Sequence, residues 1–454
     1  MLNAKLSEVA RWVGGHLVGA DVEVGAVSTD TRATVGGTLF VALRGERHDA
    51  HDFVATARTT GAVAAMVERA LAVDLPQVVV LNTQIALGEL ARASRLQHSA
   101  RVVAITGSNG KTTVKTLLAS ILSGHARTHV SAGNFNNEIG LPLSVLAMPR
   151  DCVFAVLEMG AGKPGDIDYL ARIAQPDVGL VNNIAPAHLE RMGSLDGIAE
   201  TKGALYAALP TDGVAVINAD DAYAERFTRI AGSRRVLRFG LRNPADVTAR
   251  LAPGQLQAFT LVTPVGEIAV ELSLPGQHNL LNALAASSAA LALDVPLPVI
   301  AAGLRAARPV AGRHSPHPLA SGGVLIDDSY NANPGSFAAA IATLAGTSGR
   351  RILVMGEMRE LGADTVILHA EVGALARQSG IDSLHGVGGL TRAAIDAFGA
   401  GAVHHADQDA LVRALQGELA EGVTVLIKGS RGAAMDKVVR ALLGGAAQGE
   451  HHAA

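Results

Sequence analysis

The chain has 454 residues, a length that suggests about three domains. Its apolar content of 49%, charged content of 17% and formal net charge of -3 are those of an ordinary globular protein, and the lack of a basic excess argues against nucleic acid as a partner. The N-terminus lacks the apolar core of a signal peptide, no uninterrupted apolar run is long enough to span a membrane, and the single cysteine, Cys152, rules out a disulfide framework. These features predict a cytoplasmic protein with no stable membrane insertion.

Residues 1–98 are predicted to form a small N-terminal α/β domain. A helical pattern over residues 6–12 is followed by strand-like runs, including residues 38–43 and 62–67. A polar loop between the strand-like runs at residues 24–27 and 38–43 could contact a sugar or a pyrophosphate, although the residues alone favour a solvated turn. The loop contains Ser28, Thr29, Asp30 and Arg32.

Residues 99–310 are predicted to form a central domain on a largely parallel sheet with helices on both faces. Apolar strands at residues 153–158, 178–182 and 214–217 alternate with helical patterns. From residue 236 to 274 short alternating segments predict an antiparallel extension of this domain.

A glycine-rich loop lies near the start of the central domain, between an apolar run and a helical pattern. Strand, glycine-rich loop and helix are the elements of a phosphate-binding loop, in which backbone N-H groups, the helix N-terminus and a lysine surround the phosphates. The position of the usual first glycine is Ile105, so the loop has the shorter form G-x-x-G-K-T-T. A tight turn with a chance lysine is the weaker alternative. The predicted nucleotide-binding residues are Gly107, Ser108, Asn109, Gly110, Lys111, Thr112 and Thr113.

Three further side chains are candidates for the same crevice. Glu158 ends a predicted strand, where open α/β sheets place their ligands, and a carboxylate suits the Mg²⁺ that accompanies ATP. His188 follows the next strand, and the residues leave a ligand and an ordinary histidine equally open. Lys202 reads as a surface lysine when taken alone. However, the chain has only seven lysines among 38 basic residues, so a surface position would ordinarily carry arginine.

Residues 311–454 are predicted to form a C-terminal, Rossmann-like α/β domain with a parallel sheet. Two polar loops, residues 327–334 and 428–432, follow predicted strands and should face the central domain. Polar strand-end loops in two domains imply a substrate held across a cleft that can close. Residues 444–454 lack apolar periodicity, which predicts a disordered tail.

Taken together, these motifs resemble those of the Mur ligases, the ATP-dependent enzymes that form amide bonds in peptidoglycan synthesis. The resemblance spans essentially the whole chain, and the order of the motifs is specific. The matching segments are Asp30-Thr31-Arg32, the phosphate loop, residues 133–142, Glu158-Met159-Gly160-Ala161, His188, Lys202, residues 276–279, Gly312-Arg313, residues 327–334 and residues 428–431.

The resemblance implies ATP as a cosubstrate and two Mg²⁺ ions. It implies Thr112 and Glu158 as ligands of the first ion, and His188 with a carbamylated Lys202 as ligands of the second. Lys111, Lys202 and His188 would be the catalytic residues. Asn279 and Arg313 would contact the nucleotide, and the remaining substrate contacts would come from Ser28, Thr29, Asp30, Arg32, Asn134, Asn137, Asp328 and Asn331.

The resemblance also bears on the substrates. The segment Asp-Asn-Pro-Arg, which marks the family members that add diaminopimelate, is missing from the sequence. Residues 327–334 instead resemble those of the members that join D-alanyl-D-alanine to UDP-N-acetylmuramoyl-tripeptide, which would be the small-molecule partners of a monomer. Where those members usually have Asn-His, this chain has Gly162-Lys163. Two alternatives stay open: another amide ligase of the superfamily, such as folylpolyglutamate synthase, and an ATP-gated binding protein without ligase activity.

Overall fold

The computed structural model describes residues 2–45, 48–252 and 256–444. The predicted tail therefore lies, apart from Gly444, outside the described residues. Within these ranges no helix combines the length and the apolar character needed to cross a bilayer.

The N-terminal part carries a five-stranded sheet. Its elements in chain order are β1 (Ala4–Lys5), α1 (Leu6–Trp12), β2 (His16–Val18), β3 (Glu23–Val24), β4 (Ala26–Ser28), β5 (Thr38–Val41), α2 (Val54–Thr59), β6 (Ala62–Val67), β7 (Gln77–Val79) and α3 (Thr83–Arg95). The strand order is β2-β7-β6-β5-β4, and only β2 runs antiparallel to its neighbour. Helix α3 begins after Asn82, whose side chain accepts a hydrogen bond from the Ile85 N-H and so caps the helix.

The central part is built on a six-stranded, fully parallel sheet. Its elements are β8 (Arg101–Thr106), α4 (Lys111–Ser123), β9 (Thr128–Val130), α5 (Gly140–Leu146), β10 (Phe154–Glu158), α6 (Asp166–Ala174), β11 (Val178–Val181), α7 (Leu189–Met192), α8 (Leu195–Ala207), β12 (Val214–Asn218), α9 (Ala224–Ala231), β13 (Arg235–Phe239), β14 (Thr248–Leu251), β15 (Ala258–Thr263), β16 (Gly266–Glu271), α10 (Gln277–Ala292) and α11 (Leu297–Ala306). The order β13-β12-β11-β8-β10-β9 places β8 between β10 and β11. The carboxyl ends of these three strands therefore meet at one edge, where α/β sheets bind their ligands.

The antiparallel extension begins later than the sequence predicts. Strands β14, β15 and β16 form an antiparallel sheet as expected, but β13 pairs in parallel with β12. The prediction that this extension starts at residue 236 is therefore wrong. Because β13 is the edge strand of the parallel sheet, it is only partly covered, and its alternating burial imitates a strand with one solvated face.

The C-terminal part, residues 312–444, carries a third sheet. Its elements are β17 (Ser315–Pro318), β18 (Val324–Asp328), α12 (Pro334–Ala345), β19 (Arg350–Gly356), α13 (Thr365–Gln378), β20 (Ser383–Val387), α14 (Arg392–Phe398), β21 (Ala402–His405), α15 (Gln408–Gln416), β22 (Val423–Lys428) and α16 (Asp436–Leu442). The order is β17-β18-β22-β19-β20-β21, parallel except for the edge strand β17. The predicted α/β class, with a parallel central sheet, a Rossmann-like C-terminal part and a small N-terminal α/β part, is confirmed.

The buried apolar side chains group unevenly along the chain. One cluster is continuous from Leu2 to Ala231 and contains Leu87 and Leu90 of α3 together with Leu157 of β10. By contrast, the two clusters of the C-terminal part contain only residues from Leu319 onward. The N-terminal part thus shares a core with the central sheet, whereas the described C-terminal residues build cores of their own.

Candidate active site

The loop between β8 and α4 has the conformation of a phosphate cradle. Gly107 and Gly110 have φ angles of 145° and 79°, which a residue with a Cβ atom rarely adopts. A Cβ atom on Gly110 would also lie 2.4 Å from Asn282 Oδ1 and 2.5 Å from Asn182 Nδ2. The Lys111 ammonium donates to the Gly107 carbonyl at 2.8 Å, so it is held over the loop.

Asparagine side chains fix this loop from two sides. The backbone N-H of Asn109 donates to Asn183 Oδ1 at 2.9 Å, and Asn182 Nδ2 donates to the Asn109 carbonyl at 3.0 Å. From the C-terminal part, Asn333 Nδ2 donates to Asn109 Oδ1 at 2.8 Å. The phosphate loop is therefore in direct contact with residues on both sides of the crevice.

Glu158, at the end of β10, is buried next to the loop. Thr112 Oγ1 donates to its Oε2 atom at 3.0 Å, the Lys115 ammonium lies 3.2 Å from the same oxygen, and Asn136 Nδ2 donates to Oε1 at 2.8 Å. Burial acts to raise the pKa of Glu158, but the charges of Lys115 and Lys111 outweigh it and the pKa is lowered. The carboxylate is thus held in its charged form beside the phosphate site.

His188 follows β11 and contacts the C-terminal part. Its Nδ1 atom meets Glu360 Oε2 across the crevice. Both residues have positive φ angles, 55° for His188 and 63° for Glu360, which is uncommon for residues other than glycine and is concentrated at functional sites. Burial lowers the pKa of His188 although Glu360 opposes this effect, so the imidazole is favoured in its neutral form, the form that binds metals.

Lys202 is not the surface lysine that its helix position suggests. Its side chain is 3% exposed in α8, and within the described residues it has no hydrogen bond and no ion pair. Burial, and after it the charge of Lys111, lowers its pKa well below the usual range. Burial therefore favours the neutral form of this interior amine over the charged one.

Fewer than half of the seven lysines lie on the exposed surface, where this chain ordinarily uses arginine. Lys5, Lys163 and Lys437 are exposed, and Lys111 is half-buried in the phosphate loop. The remaining lysines, Lys115, Lys202 and Lys428, are buried.

A cleft of about 740 Å³ connects the central and C-terminal parts. It brings together most of the site residues that the sequence predicts from these two parts, namely Ser108, Asn109, Gly110, Lys111, Thr113, Asn137, Glu158, His188, Asn279, Arg313, Asp328 and Asn331. The predicted residues Gly107, Thr112, Asn134 and Lys202 do not line it. Thr112 nevertheless touches the lining through Glu158.

The C-terminal wall of the cleft is rich in charge. Lys428, at the end of β22, donates to Asp328 Oδ2 at 2.7 Å and to the Asn331 carbonyl at 2.9 Å. The Arg313 guanidinium lies 4.2 Å from the centroid of the Tyr330 ring. Its charge reaches the phosphate loop, because it contributes to lowering the pKa of both Lys111 and Glu158.

Two histidines meet where the chain passes from the central to the C-terminal part. The His278 and His314 rings pack edge to face with centroids 5.4 Å apart, and both line the cleft. Burial, with a smaller contribution from His314, lowers the pKa of His278 to about 4. His314 Nε2 is buried and has no hydrogen-bond partner in the described structure.

The predicted sugar-binding loop of the N-terminal part does not reach this cleft. Asp30 caps the short turn Thr31–Ala33, and the Arg32 guanidinium donates to both Asp30 carboxylate oxygens at 2.7 to 3.1 Å. Ser28 Oγ accepts from the Asp30 N-H at 3.1 Å. None of Ser28, Thr29, Asp30 and Arg32 is among the residues that line the described cleft. They form a separate polar site on the N-terminal sheet.

Sequence reasoning missed several residues of the site. Lys115 was counted among the rare lysines but not placed in the site, although that rarity was a usable signal. The asparagines Asn182 and Asn282 carry no pattern of their own and meet the phosphate loop only through the fold. Asn136 belongs to the segment 133–142 that the sequence singles out, but its hydrogen bond to Glu158 is not predictable from it. Glu360 contacts His188, which is distant in the sequence, so no local pattern reveals this contact.

Three family profiles match consecutive parts of the chain. They are described as "Mur ligase family, catalytic domain" over residues 23–95, "Mur ligase middle domain" over residues 105–290 and "Mur ligase, glutamate ligase domain" over residues 312–431. Together they cover most of the sequence.

Known proteins are similar over nearly the full length. The UDP-N-acetylmuramoyl-tripeptide--D-alanyl-D-alanine ligase of Escherichia coli is 45% identical over 447 residues, which is 97% of this chain and 99% of that protein. A crystal structure of MurF from Acinetobacter baumannii superposes with a TM-score of 0.92 at 34% identity, covering 98% of this chain and 99% of that one. The MurF ligase of Thermotoga maritima in complex with ADP gives a TM-score of 0.83 at 28% identity, covering 92% and 97%. The chain belongs to the Mur ligase family of ATP-dependent ligases.

Proposed function

We propose that this protein joins D-alanyl-D-alanine to UDP-N-acetylmuramoyl-tripeptide in peptidoglycan synthesis, using ATP and passing through an acyl phosphate. The observation that carries the proposal is the meeting of a phosphate loop and a buried carboxylate at neighbouring strand ends, with a buried lysine in the adjacent helix α8, opposite the arginine-bearing wall of the C-terminal part. Full-length similarity to ligases with this activity supports the choice of substrates.

The phosphate loop would hold the triphosphate of ATP. Its backbone N-H groups, the start of α4 and Lys111 supply positive charge around the β- and γ-phosphates. Arg313 would neutralise the charge that spreads over the γ-phosphoryl oxygens during transfer, because its guanidinium is near enough to influence Lys111 and Glu158. Asn279 would contact the nucleotide from α10.

The donors beside the phosphate loop suit a Mg²⁺ ion without an all-protein cage. Among the described residues no three His, Cys, Asp or Glu side chains converge, and Mg²⁺ on a nucleotide needs only one or two protein ligands besides phosphates and water. Thr112 Oγ1 and Glu158 Oε2 lie 3.0 Å apart, about the spacing of adjacent ligands in an octahedron with 2.1 Å bonds. These residues would hold the first ion, and His188 with Lys202 the second. The ions would draw charge off the phosphoryl oxygens and the attacking carboxylate.

Lys202 would serve as a carbamate. Carbamylation joins CO₂ to a neutral amine, and burial lowers the pKa of Lys202 and so favours that form. A carbamate carries a negative charge, which would give His188 an anionic partner for a cation. An arginine at this position could not react, which accounts for a lysine in a chain that otherwise prefers arginine.

The membership of the Mur ligase family implies the course of the reaction, and the cleft offers the groups that it would need. The tripeptide carboxylate attacks the γ-phosphorus of ATP, forming the acyl phosphate and releasing ADP. The amine of the dipeptide next attacks the acyl carbon, the tetrahedral intermediate loses phosphate, and an amide remains. The contacts that Asn333 and Glu360 make across the crevice would help to exclude water from the acyl phosphate while it exists.

The substrate contacts divide among the three proposed domains, residues 1–98, 99–310 and 311–454. The Ser28–Arg32 loop would bind the UDP-sugar end, and Asn134 and Asn137 would contact the sugar-peptide at the edge of the central sheet. Asp328 and Asn331 would line the acceptor side. With one complete cleft in each chain, the proposal includes a monomer working in the cytoplasm, where ATP and nucleotide-linked precursors are found.

A phosphate-release assay with a panel of acceptors tests the proposal. We expect turnover with ATP, UDP-N-acetylmuramoyl-tripeptide and D-alanyl-D-alanine, and little with single amino acids or with folate plus glutamate. Lys111→Ala should abolish turnover, whereas Arg413→Ala, an exposed arginine of α15, should leave it unchanged. Turnover only with single amino acids or with folate and glutamate would contradict the proposed substrates, and phosphate release without an amide product would contradict a ligase.

A further inference from the structure

Two arginines approach the ring of Tyr330, which lines the cleft together with Arg313, whereas Arg431 is not among the residues that line the described cleft. The Arg313 guanidinium carbon is 4.2 Å and that of Arg431 5.7 Å from the ring centroid, both within the range of cation-π attraction. Arg431 directly follows the loop at the end of β22 and begins a short turn, Arg431–Ala433. In the described structure neither arginine has a carboxylate within ion-pair distance. The ring thus holds two guanidinium groups that are free to bind anions.

The ammonium group of the neighbouring Lys428 is not free to bind an external anion. Its ammonium is buried and already bound to Asp328 and to the Asn331 carbonyl. Arg431, by contrast, is exposed. Of the two basic side chains in this segment, Arg431 is therefore the one that can take an external anion.

The two guanidinium groups are close enough for one small ligand to reach both. Because both distances are measured to the same ring, their guanidinium carbons can be no more than about 10 Å apart. An extended dipeptide spans about 7 Å from its amine to its carboxylate. Since Arg313 acts next to the phosphate loop, a dipeptide whose carboxylate rests on Arg431 can place its amine beside the group bound at Arg313.

We propose that Arg431, braced by Tyr330, binds the terminal carboxylate of the dipeptide acceptor and so directs its amine toward the acyl phosphate. Guanidinium groups bind carboxylates through two parallel hydrogen bonds, which fix orientation as well as position. This inference rests on the proposed ligase function and adds to it a residue that selects acceptors with a free carboxylate.

The test compares D-alanyl-D-alanine with its C-terminal amide, which keeps the shape and the amine but lacks the charge. With the full-length enzyme we expect kcat/KM to be roughly 10- to 100-fold higher for the acid than for the amide, the effect of one charge-assisted contact. Arg431→Ala should lose most of this preference, mainly through a higher KM for the acid, while turnover with the amide stays near that of the parent. Arg431→Lys should recover part of it, and Arg413→Ala should retain all of it.

The possible outcomes separate the inference from the function on which it rests. A parent enzyme that does not discriminate between acid and amide, or an Arg431→Ala variant that keeps the full preference, would overturn the inference. Equal losses with both acceptors would indicate a structural role and would overturn it too. If circular dichroism shows that Arg431→Ala does not fold, the acid and the amide are compared with Arg431→Gln instead, and the same outcomes apply. A parent that ligates neither dipeptide would instead contradict the proposed function.

Discussion

The buried ion pair between Lys115 and Glu158 allows a quantitative prediction about the free energy of unfolding. The Lys115 ammonium lies 3.2 Å from Glu158 Oε2 and donates to the carbonyls of Ser131 at 3.1 Å and Gly133 at 2.9 Å. The two charged side chains are 6% and 3% exposed. Lys115→Met keeps the length of the side chain and removes all three interactions.

The expected loss follows from what remains after the substitution. Removing one partner of a buried ion pair costs about 3 to 5 kcal/mol, because the other charge is left without compensation. Thr112 and Asn136 still donate to Glu158, so the loss should fall at the lower end, about 3 kcal/mol. Neutralising both partners, in Lys115→Met/Glu158→Gln, should cost clearly less than the two single changes added together.

Urea unfolding followed by circular dichroism measures these differences, with Lys437→Met on α16 as the control. Lys437 is exposed, so its replacement should change the free energy of unfolding by no more than about 0.5 kcal/mol. A Lys115→Met variant as stable as this control, or a double variant whose loss equals the sum of the single losses, would refute the assigned energetic role of the pair.

Three more substitutions test the site. Lys202→Arg should fold normally yet lose most ligase activity in the phosphate-release assay, and full retention of turnover would contradict the carbamate. Gly110→Ala should abolish nucleotide binding in calorimetry, because its Cβ atom would collide with Asn282 and Asn182; unchanged affinity would contradict the described loop. Because burial lowers the pKa of His278 to about 4, the unfolded chain takes up this proton first, and up to about 3 kcal/mol of stability should be lost as the pH falls from about 6.5 to about 4. His278→Phe should flatten that pH dependence, and an unchanged slope would exclude His278 as its source.

Local patterns were sufficient to predict the elements that carry the phosphate site. The helix over residues 6–12 and the strand over residues 62–67 are predicted with the bounds that the structure has. The phosphate loop and Glu158 were found because the carboxyl ends of parallel strands share one edge, so a residue at a strand end is placed by topology alone.

Contacts between distant segments could not be predicted in this way. The depth at which Lys202 lies depends on how α8 packs, and its helical pattern resembles that of a surface position. The pairing of His188 with Glu360 depends on the approach of the C-terminal part and on two left-handed residues that have no glycine to mark them. Edge strand β13 misled the prediction because partial exposure imitates an antiparallel pattern.

The uneven division of the apolar cores has a mechanical consequence. The N-terminal and central parts share one continuous cluster, so separating them would expose buried hydrocarbon, at about 25 cal/mol per Å². The described C-terminal part has cores of its own and meets the central part through polar contacts such as Asn333 with Asn109 and His188 with Glu360. Contacts of this kind typically contribute only about 1 kcal/mol each. The N-terminal part is therefore joined to the central part by shared hydrocarbon, whereas the C-terminal part is joined to it by polar contacts that water can replace.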